Sequence, residues 1–156
     1  MAAQPISLAE VEHYLNAALA HTQADRQVAL LHFELRHRPH APAGDPRLAL
    51  MAQYLSPLLR EYDVIFQIDN QSLGLLLANV AGIPHASLAA NRALNLLAGS
   101  VEASIRFHPH IGIAIYPEHG DTISDLMHSA CIAAREFTQD HIGIYAADRD
   151  WLGQQL

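Results

Sequence analysis

The chain has 156 residues, 51% of them hydrophobic and 16% charged, a composition typical of a folded domain and not of a disordered segment. Its formal net charge is −7, and all nine basic residues are arginine. Because no basic stripe is present, binding to a nucleic-acid backbone is not expected. The longest apolar stretch, residues 72–82, is too short to span a bilayer, and no export signal is present, so membrane insertion is not expected either. The single cysteine predicts a reducing, cytoplasmic location.

The chain begins with the pattern of a helix followed by a strand. Ser7 and Glu10 have the spacing of a capping box, in which both side chains bond to free amides at a helix start. Apolar residues at helical spacing then predict an amphipathic helix to about residue 23. Residues 27–36 begin fully apolar and then alternate, which predicts a strand.

A loop and a second helix are predicted next. Residues 37–44 contain two prolines and a glycine, which is typical of a loop. Asp45 and Pro46 then have the N-cap and first-turn chemistry of a helix. We expect this helix to run to about residue 62, with Pro57 either kinking it or marking a shifted boundary.

The middle of the chain predicts a β-hairpin. Residues 63–68 and 73–80 have strand patterns, and the tight turn 69–72 joins them. Its aspartate and asparagine tolerate the left-handed backbone that short hairpin turns use.

Two helices and two strands complete the predicted order α-β-α-β-β-α-β-α-β. The helices are 84–97 and 121–137, and the strand patterns are 103–116 and 142–145. The fold class is therefore α/β (α+β), with a mixed sheet that carries packed helices in the manner of palm-like folds.

Three segments resemble conserved pieces of the GGDEF family. Residues 112–120, GIAIYPEHG, resemble the family's GIA-x-YP-x-DG segment, and residues 125–130 are similar to its LL-x-x-AD helix. Arg60 and Asp63, with the strand after them, resemble the lead-in to the signature. In that register the signature GG(D/E)EF falls on the predicted turn, at Asp69, Asn70, Gln71, Ser72 and Leu73. The resemblance implies a nucleotide-cyclase-like, mostly antiparallel central sheet.

Active members of this family join two GTP molecules, each bound by one half of a homodimer, with magnesium on two carboxylates. The resemblance places Glu34 at the strand carboxylate, but Gln71 and Ser72 at the acidic positions of the turn. Asp69 and Asn70 replace the two glycines that allow close approach to the triphosphate. With one carboxylate instead of two, magnesium is not expected as a cofactor.

The remaining family contacts are also changed. Thr138 stands at the position of a lysine that the resemblance places in the fourth helix, and the guanine-binding loop is about six residues short. Gly44 and Asp45 resemble part of that loop, although an N-cap role is sufficient for Asp45. We interpret Glu34 as a strand-end residue near solvent. No catalytic residue is therefore assigned, and cyclase activity is not expected.

One ligand site is predicted. Arg60 and Asp63 match the family's R-x-x-D site for cyclic-di-GMP, and Arg92 lies where an assisting arginine often occurs. A guanidinium can donate to guanine O6 and N7, while a carboxylate accepts from its N1 and N2 protons. The spacing predicts both side chains on one face at a helix end. The alternative is an exposed ion pair of little energetic value.

Eleven histidines raise the question of a metal site. His108 and His110 share a strand face, and His37 and His40 flank a proline-containing loop. Since zinc sites recruit three or four ligands with supporting contacts, we interpret the histidines as scattered surface residues and predict no metal site. Cys131 is expected to pack against the sheet.

Residues 1–147 are predicted to form one degenerate GGDEF domain, with 1–24 as a lead-in helix and 148–156 as the start of a linker or tail. The expected function is a catalytically inactive regulatory or interaction domain, next to a phosphodiesterase EAL domain or bound to another protein partner. A cyclic-di-GMP receptor is the first alternative, and residual GTP binding or cyclase activity is the second. A homodimer stays open.

Overall fold

The computed structural model describes residues 7–35, 47–98, 109–139 and 141–146, and its elements follow the predicted order. Four helices and five strands are seen in this part of the chain, with one 3-10 turn after the second helix. In chain order they are α1 (Leu8–Ala20), β1 (Gln27–Leu35), α2 (Arg47–Leu55), the 3-10 turn (Ser56–Leu58), β2 (Val64–Asp69), β3 (Ser72–Val80), α3 (Ile83–Ala98), β4 (Pro109–Tyr116), α4 (Ile123–Glu136) and β5 (Ile142–Ile144).

The five strands form one sheet in the order β2-β3-β1-β4-β5. β1 lies in the middle and pairs antiparallel with both β3 and β4. The hairpin pair β2 and β3 is also antiparallel, whereas β4 and β5 are parallel. The predicted mixed, mostly antiparallel sheet is therefore confirmed.

Helices cover both faces of the sheet because the side chains of each strand alternate between the faces. Val28 and Leu30 of β1 pack in a core with α1 and α4. Ala29, Leu31 and Phe33 pack in the opposite core with α2 and α3. The fold thus has three layers, and β1 is buried almost throughout.

The helix α4 lies very close to the sheet at Gly112 of β4. A Cβ atom on Gly112 would overlap the backbone of Ala130 and Ala134. A side chain at this position would push α4 away. The glycine of the GIA segment therefore fixes the distance between α4 and the central strands.

The first helix begins as predicted and ends earlier. The Ser7 hydroxyl accepts a hydrogen bond from the backbone amide of Glu10 at 3.2 Å. The Ser7 hydroxyl also donates to the Glu10 carboxylate at 3.3 Å. Glu10 thus bonds to the Ser7 hydroxyl, whereas in a capping box it would bond to the Ser7 backbone amide. The helix ends at Ala20 and not near residue 23, because the backbone amides of His21 and Thr22 turn back to carbonyls of the last turn.

The prediction that α2 continues to about residue 62 is wrong. The helix ends at Leu55, and Pro57 lies in the 3-10 turn that follows. Proline has no amide to donate to the carbonyl four residues earlier, and here the Ser56 hydroxyl donates to that carbonyl of Gln53 at 3.0 Å. Of the two outcomes predicted for Pro57, the shifted boundary is the one observed.

Several predicted features lie outside the described residues: the loop 37–44, the helix cap of Asp45 with Pro46, and strand residues 103–108. Among the helices of the described ranges, none has the length and hydrophobicity that crossing a bilayer requires.

Candidate functional site

The turn that carries the family signature lies beside the end of β1. Asp69 pairs with Ser72 across the turn of the hairpin. On its other side Ser72 pairs with Glu34 of β1, and the Leu35 amide donates to the Gln71 carbonyl at 2.9 Å. The structure therefore brings together the strand carboxylate and the turn, as the sequence resemblance predicts.

The turn is stabilised by its own side chains. One carboxylate oxygen of Asp69 accepts from the Gln71 amide at 2.8 Å and from the Ser72 hydroxyl at 2.7 Å. In the described ranges, residues other than glycine adopt a positive φ only at Asn79 and His141. The prediction of a left-handed backbone in the turn is therefore wrong. Hydrogen bonds to the Asp69 carboxylate close this turn instead.

The five positions of the signature differ in exposure. Asn70 and Gln71 are exposed at the tip, and Ser72 is fully buried beneath it. Leu73 belongs to the core on the α2 and α3 side. The tip thus offers a neutral amide to solvent where an active member of the family would have an acidic group.

The interpretation of Glu34 as a residue near solvent is wrong. Glu34 is 7% exposed, and the Nε–H of Arg135 lies 2.9 Å from each of its carboxylate oxygens. His32 Nε2 lies 3.2 Å from one of these oxygens. Burial alone would raise the pKa of Glu34, but the hydrogen bonds from His32 and Arg135 lower this pKa below its ordinary value of 4.5.

The partner Arg135 lies on α4, 101 residues away in sequence, and sequence reasoning missed it. Cys131 and Arg135 are four residues apart and therefore share a face of α4. Their neighbours Ala130 and Ala134 lie against the sheet at Gly112. The sequence signal for this contact is a polar residue next to an alanine, as in Ala134 and Arg135, on a helix that packs on the sheet.

The residues at this site do not fit a magnesium ion held in the way the family holds it. Magnesium prefers several hard oxygen ligands in a near-octahedral arrangement. The Glu34 carboxylate already contacts the Arg135 guanidinium, and the amide of Gln71 brings no charge. A positive group thus stands at the strand carboxylate, and no second carboxylate in the turn offsets it, which disfavours magnesium.

The resemblance places Thr138 at a position of the fourth helix, but in the structure Thr138 follows that helix. α4 ends at Glu136, and Phe137 is its C-cap. The hydroxyl of Thr138 lies 3.1 Å from Nδ1 of His110. Thr138 thus links the segment after α4 to the start of β4, and it supplies no positive charge.

Arg60 and Asp63 form an ion pair in the turn before β2, and not on a helix face. Arg60 Nε donates to Asp63 Oδ2 at 2.8 Å, and Nη2 donates to Oδ1 at 3.2 Å. The backbone amides of Arg60 and Ala78 also donate to this carboxylate, both at 3.0 Å. The side chain of Asp63 is 1% exposed and that of Arg60 is 45% exposed, so only the arginine of the pair lies at the surface.

Three arginines lie near enough to His85, close to the start of α3, for their charges to act on its ring. The pKa of His85 is lowered first by burial and then by the positive charges of Arg60, Arg26 and Arg92. Arg26 and Arg60 both donate to carbonyls at the end of β3, those of Asn79 and Ala78, and the charge of Arg92 also acts on His85. In a chain with a net charge of −7, three guanidinium groups together form a distinctly positive region, called here the arginine cluster.

The histidines are not all surface residues. His32 is 2% exposed on β1, and His119 is half-buried with a pKa lowered by burial. His110 is also partly buried. His37, His40 and His108, like Gly44 and Asp45, lie outside the described residues.

Cys131 lies in the same neighbourhood as Glu34 and Arg135. Burial raises the pKa of its thiol above the ordinary value, although the charge of Arg135 acts in the opposite direction. The thiol is therefore protonated near neutral pH in the absence of a bound cation.

Comparison with known proteins gives one family. The family model "Diguanylate cyclase, GGDEF domain" matches residues 40–142. Among curated proteins, the diguanylate cyclase TpbB of Pseudomonas aeruginosa strain UCBPP-PA14 is 34% identical over 108 residues, or 64% of this chain and 24% of that protein. The chain thus spans about a quarter of the length of this relative.

Solved structures show the same fold. The GGDEF domain of TpbB from P. aeruginosa superposes with a TM-score of 0.74 at 24% identity, covering 94% of this chain and 91% of that one. The active GGEEF domain of a diguanylate cyclase from Vibrio cholerae gives a TM-score of 0.71 at 13% identity, covering 92% and 99%.

Proposed function

The chain belongs to the GGDEF domain family of cyclic-di-GMP signalling, and we propose that it is a regulatory or interaction domain without cyclase activity. Its role is to respond to a ligand or partner. Its partner is an adjacent phosphodiesterase EAL domain or another protein, and it acts in the cytoplasm.

The observation that carries this proposal is the ion pair between Glu34 and Arg135. Phosphoryl transfer to and from GTP depends on metal ions that neutralise the phosphate charge as it develops. In this chain the strand carboxylate contacts a guanidinium at 2.9 Å. An internal cation thus offsets the one carboxylate that magnesium would have here, and the neutral Gln71 gives no second one.

The turn supports the same conclusion. Asp69 stands where the family has a glycine, and it is exposed while its carboxylate accepts from the Gln71 amide and the Ser72 hydroxyl. A carboxylate here repels phosphate oxygens, and its side chain occupies space that a glycine would leave free. The neutral Gln71 adds no metal ligand of the required charge.

The test is incubation of the purified chain with GTP and magnesium, followed by chromatography for cyclic-di-GMP and its linear intermediate. We expect neither product, and the active GGEEF domain from V. cholerae run in parallel serves as the positive control. Product formation that Glu34→Gln abolishes would contradict the proposal, because it would show that Glu34 still serves catalysis.

A second function, as a receptor for cyclic-di-GMP, is supported by the arginine cluster. The ligand is a dianion with two guanine bases, and guanidinium groups bind both phosphate and guanine with paired hydrogen bonds. The exposed part of Arg60 and the nearby Arg26 and Arg92 provide such donors. The Asp63 carboxylate already accepts four N–H groups, so we assign it the role of holding Arg60 in place.

Isothermal titration with cyclic-di-GMP tests the receptor function. We expect binding that Arg60→Ala and Arg92→Ala each weaken by about tenfold or more, since a hydrogen bond to a charged group contributes about 1.5–3 kcal/mol. Arg47→Ala is the matched control, because Arg47 starts α2 and is not part of the arginine cluster. Absence of binding, or equal affinity in all variants, would exclude this function.

A further inference from the structure

Three side chains with different metal-binding atoms meet where α4 crosses β1. His32 and Glu34 are two residues apart on β1 and therefore point to the same face of the sheet. Cys131 lies on α4 above that face. Their ligand atoms, one from each side chain, all lie within 4.8 Å of one another. These three residues are called here the His-Glu-Cys cluster.

The close packing of α4 brings this cluster together. The strand neighbours of His32 in the sheet are Gly74 and Gly112, so neither adjacent strand places a side chain beside the imidazole ring. Ala130 lies directly on Gly112. The next residue, Cys131, is thereby held beside the imidazole and the carboxylate, and it is only partly buried.

The distances suit a tetrahedral ion. His32 Nε2 and Glu34 Oε1 are 3.2 Å apart, and two such atoms bound at 2.0–2.1 Å to one tetrahedral zinc ion are about 3.3 Å apart. A sulfur ligand lies about 3.5 Å from its neighbours in such a site. Since the sulfur of Cys131 lies within 4.8 Å of both other ligand atoms, a small shift of its side chain closes a three-ligand arrangement.

The set of donor atoms selects the kind of metal. An imidazole, a carboxylate and a thiolate are ligands of zinc and similar divalent transition metals, whereas magnesium takes oxygen ligands and has low affinity for sulfur. Three protein ligands leave the fourth position of a tetrahedral ion open. The carboxylate and the thiolate bring two negative charges to the ion, while Arg135 keeps one positive charge beside the site.

We propose that His32, Glu34 and Cys131 bind one divalent transition-metal ion of the zinc type in this chain. When the ion binds, the Cys131 thiol loses its proton to solvent, and the His32 ring changes to the tautomer with its hydrogen on Nδ1. The freed Nε2 and one Glu34 oxygen then complete the three ligands. Arg135 Nε lies 2.9 Å from both Glu34 oxygens; it keeps its bond to Oε2 while Oε1 turns to the ion, and this bond orients the carboxylate. This site uses two residues that play no part in the proposed regulatory function, and it does not depend on nucleotide.

Cobalt(II) is the probe for the test, because thiolate coordination gives a charge-transfer band in the near ultraviolet. Cys131 is the single cysteine of the chain, so such a band reports Cys131 alone. We expect the band to saturate at one cobalt ion per chain and zinc to displace the cobalt. The titration is run without GTP or cyclic-di-GMP, so its result is separate from that of the cyclase assay.

Variants separate this site from weak binding by surface histidines. Cys131→Ser is expected to abolish the band. His32→Gln and Glu34→Gln are each expected to weaken cobalt binding by more than about 100-fold, which exceeds the loss from changing a residue that only bonds to a ligand. His128→Ala is the control, because His128 is exposed on α4 three residues before Cys131, and it should leave the affinity unchanged.

Thermal unfolding keeps the test decisive if a variant at buried His32 does not fold. Zinc binding to the native state should raise the midpoint of the wild-type chain by mass action, and it should not raise that of Cys131→Ser. The proposal is overturned by a missing charge-transfer band at excess cobalt, by saturation at one ion per two chains, or by equal zinc stabilisation of wild type and Cys131→Ser.

Discussion

Glu34 shows at the scale of single residues how one contact can change the chemistry of a site. Its carboxylate is buried, and it is held by Arg135 from α4 and His32 from its own strand. A buried carboxylate needs such partners, because desolvation without them is costly. The same contact that stabilises the fold also disfavours magnesium at a site with a single carboxylate.

Replacement of Arg135 by glutamine tests the contribution of this pair to stability. We expect Arg135→Gln to lower the free energy of unfolding by about 1–2 kcal/mol at neutral pH, between the values for exposed and buried pairs. Urea unfolding measures the change. The neighbouring Glu136→Gln serves as the control, since Glu136 is exposed on the same helix and should change stability little.

The same pair predicts a pH dependence. The pKa of Glu34 in the fold lies below its ordinary value of 4.5, so its stabilising effect is complete above that pH and is lost as the pH falls through the lowered pKa. The stability difference between wild type and Glu34→Gln should therefore shrink as the pH falls below 4.5. A difference that grows in acid would contradict the assignment.

Asp63 and Arg60 are expected to differ in their effect on stability, although they form one pair. Asp63→Asn disturbs a buried carboxylate that accepts four N–H groups, and we expect a loss of about 2–4 kcal/mol. Arg60→Ala removes a half-exposed side chain and should cost about 1 kcal/mol. Urea unfolding of both, with the exposed Glu61→Gln as control, checks this order; an equal or reversed cost would show that Asp63 is not the structural member.

At the scale of elements, local sequence signals predicted most of the fold. The hairpin of β2 and β3, the cap at Ser7 and the order of all nine helices and strands in the described part of the chain follow from periodicity and turn residues. The end of α2 was missed because the helix-like pattern of apolar residues continues past Pro57, whereas the missing amide of proline decides the boundary. The backbone of the turn was missed because Asp69 stabilises it through its side chain.

Two glycines of the sheet give a prediction about how α4 is positioned. A Cβ on Gly112 would meet the backbone of α4, while one on Gly74 would meet the ring of Phe66. Because a side chain can shift more easily than a helix backbone, Gly112→Ala should be clearly more destabilising than Gly74→Ala, by roughly 1–3 kcal/mol. Thermal or urea unfolding of the two variants measures this difference; equal losses would show that α4 can move freely on the sheet.

At the scale of the whole molecule, two charged regions lie at opposite ends of β3. Ser72 borders Glu34 and the signature turn, and Ala78 borders Asp63 and Arg60. Six residues of strand separate them, or about 20 Å. A ligand bound at one end therefore does not contact the arginine cluster at the other end.

The sequence predicts contacts between neighbouring elements of the chain better than contacts between segments that are far apart in sequence. The register of the signature turn beside Glu34 was predictable, because it depends on one hairpin and its neighbouring strand. The contact of Arg135 with Glu34 and the approach of Arg26 to His85 join distant segments. Such contacts depend on how helices pack on the sheet, which turn chemistry and periodicity do not encode.

The most direct test of the central claim is quantitative product analysis after prolonged incubation of the chain with GTP and magnesium. The pairing of Glu34 with Arg135 predicts no cyclic-di-GMP above the level of a protein-free control, under conditions in which the V. cholerae GGEEF domain converts its substrate. Accumulation of cyclic-di-GMP in proportion to the concentration of the chain, and its loss in Glu34→Gln, would contradict the claim.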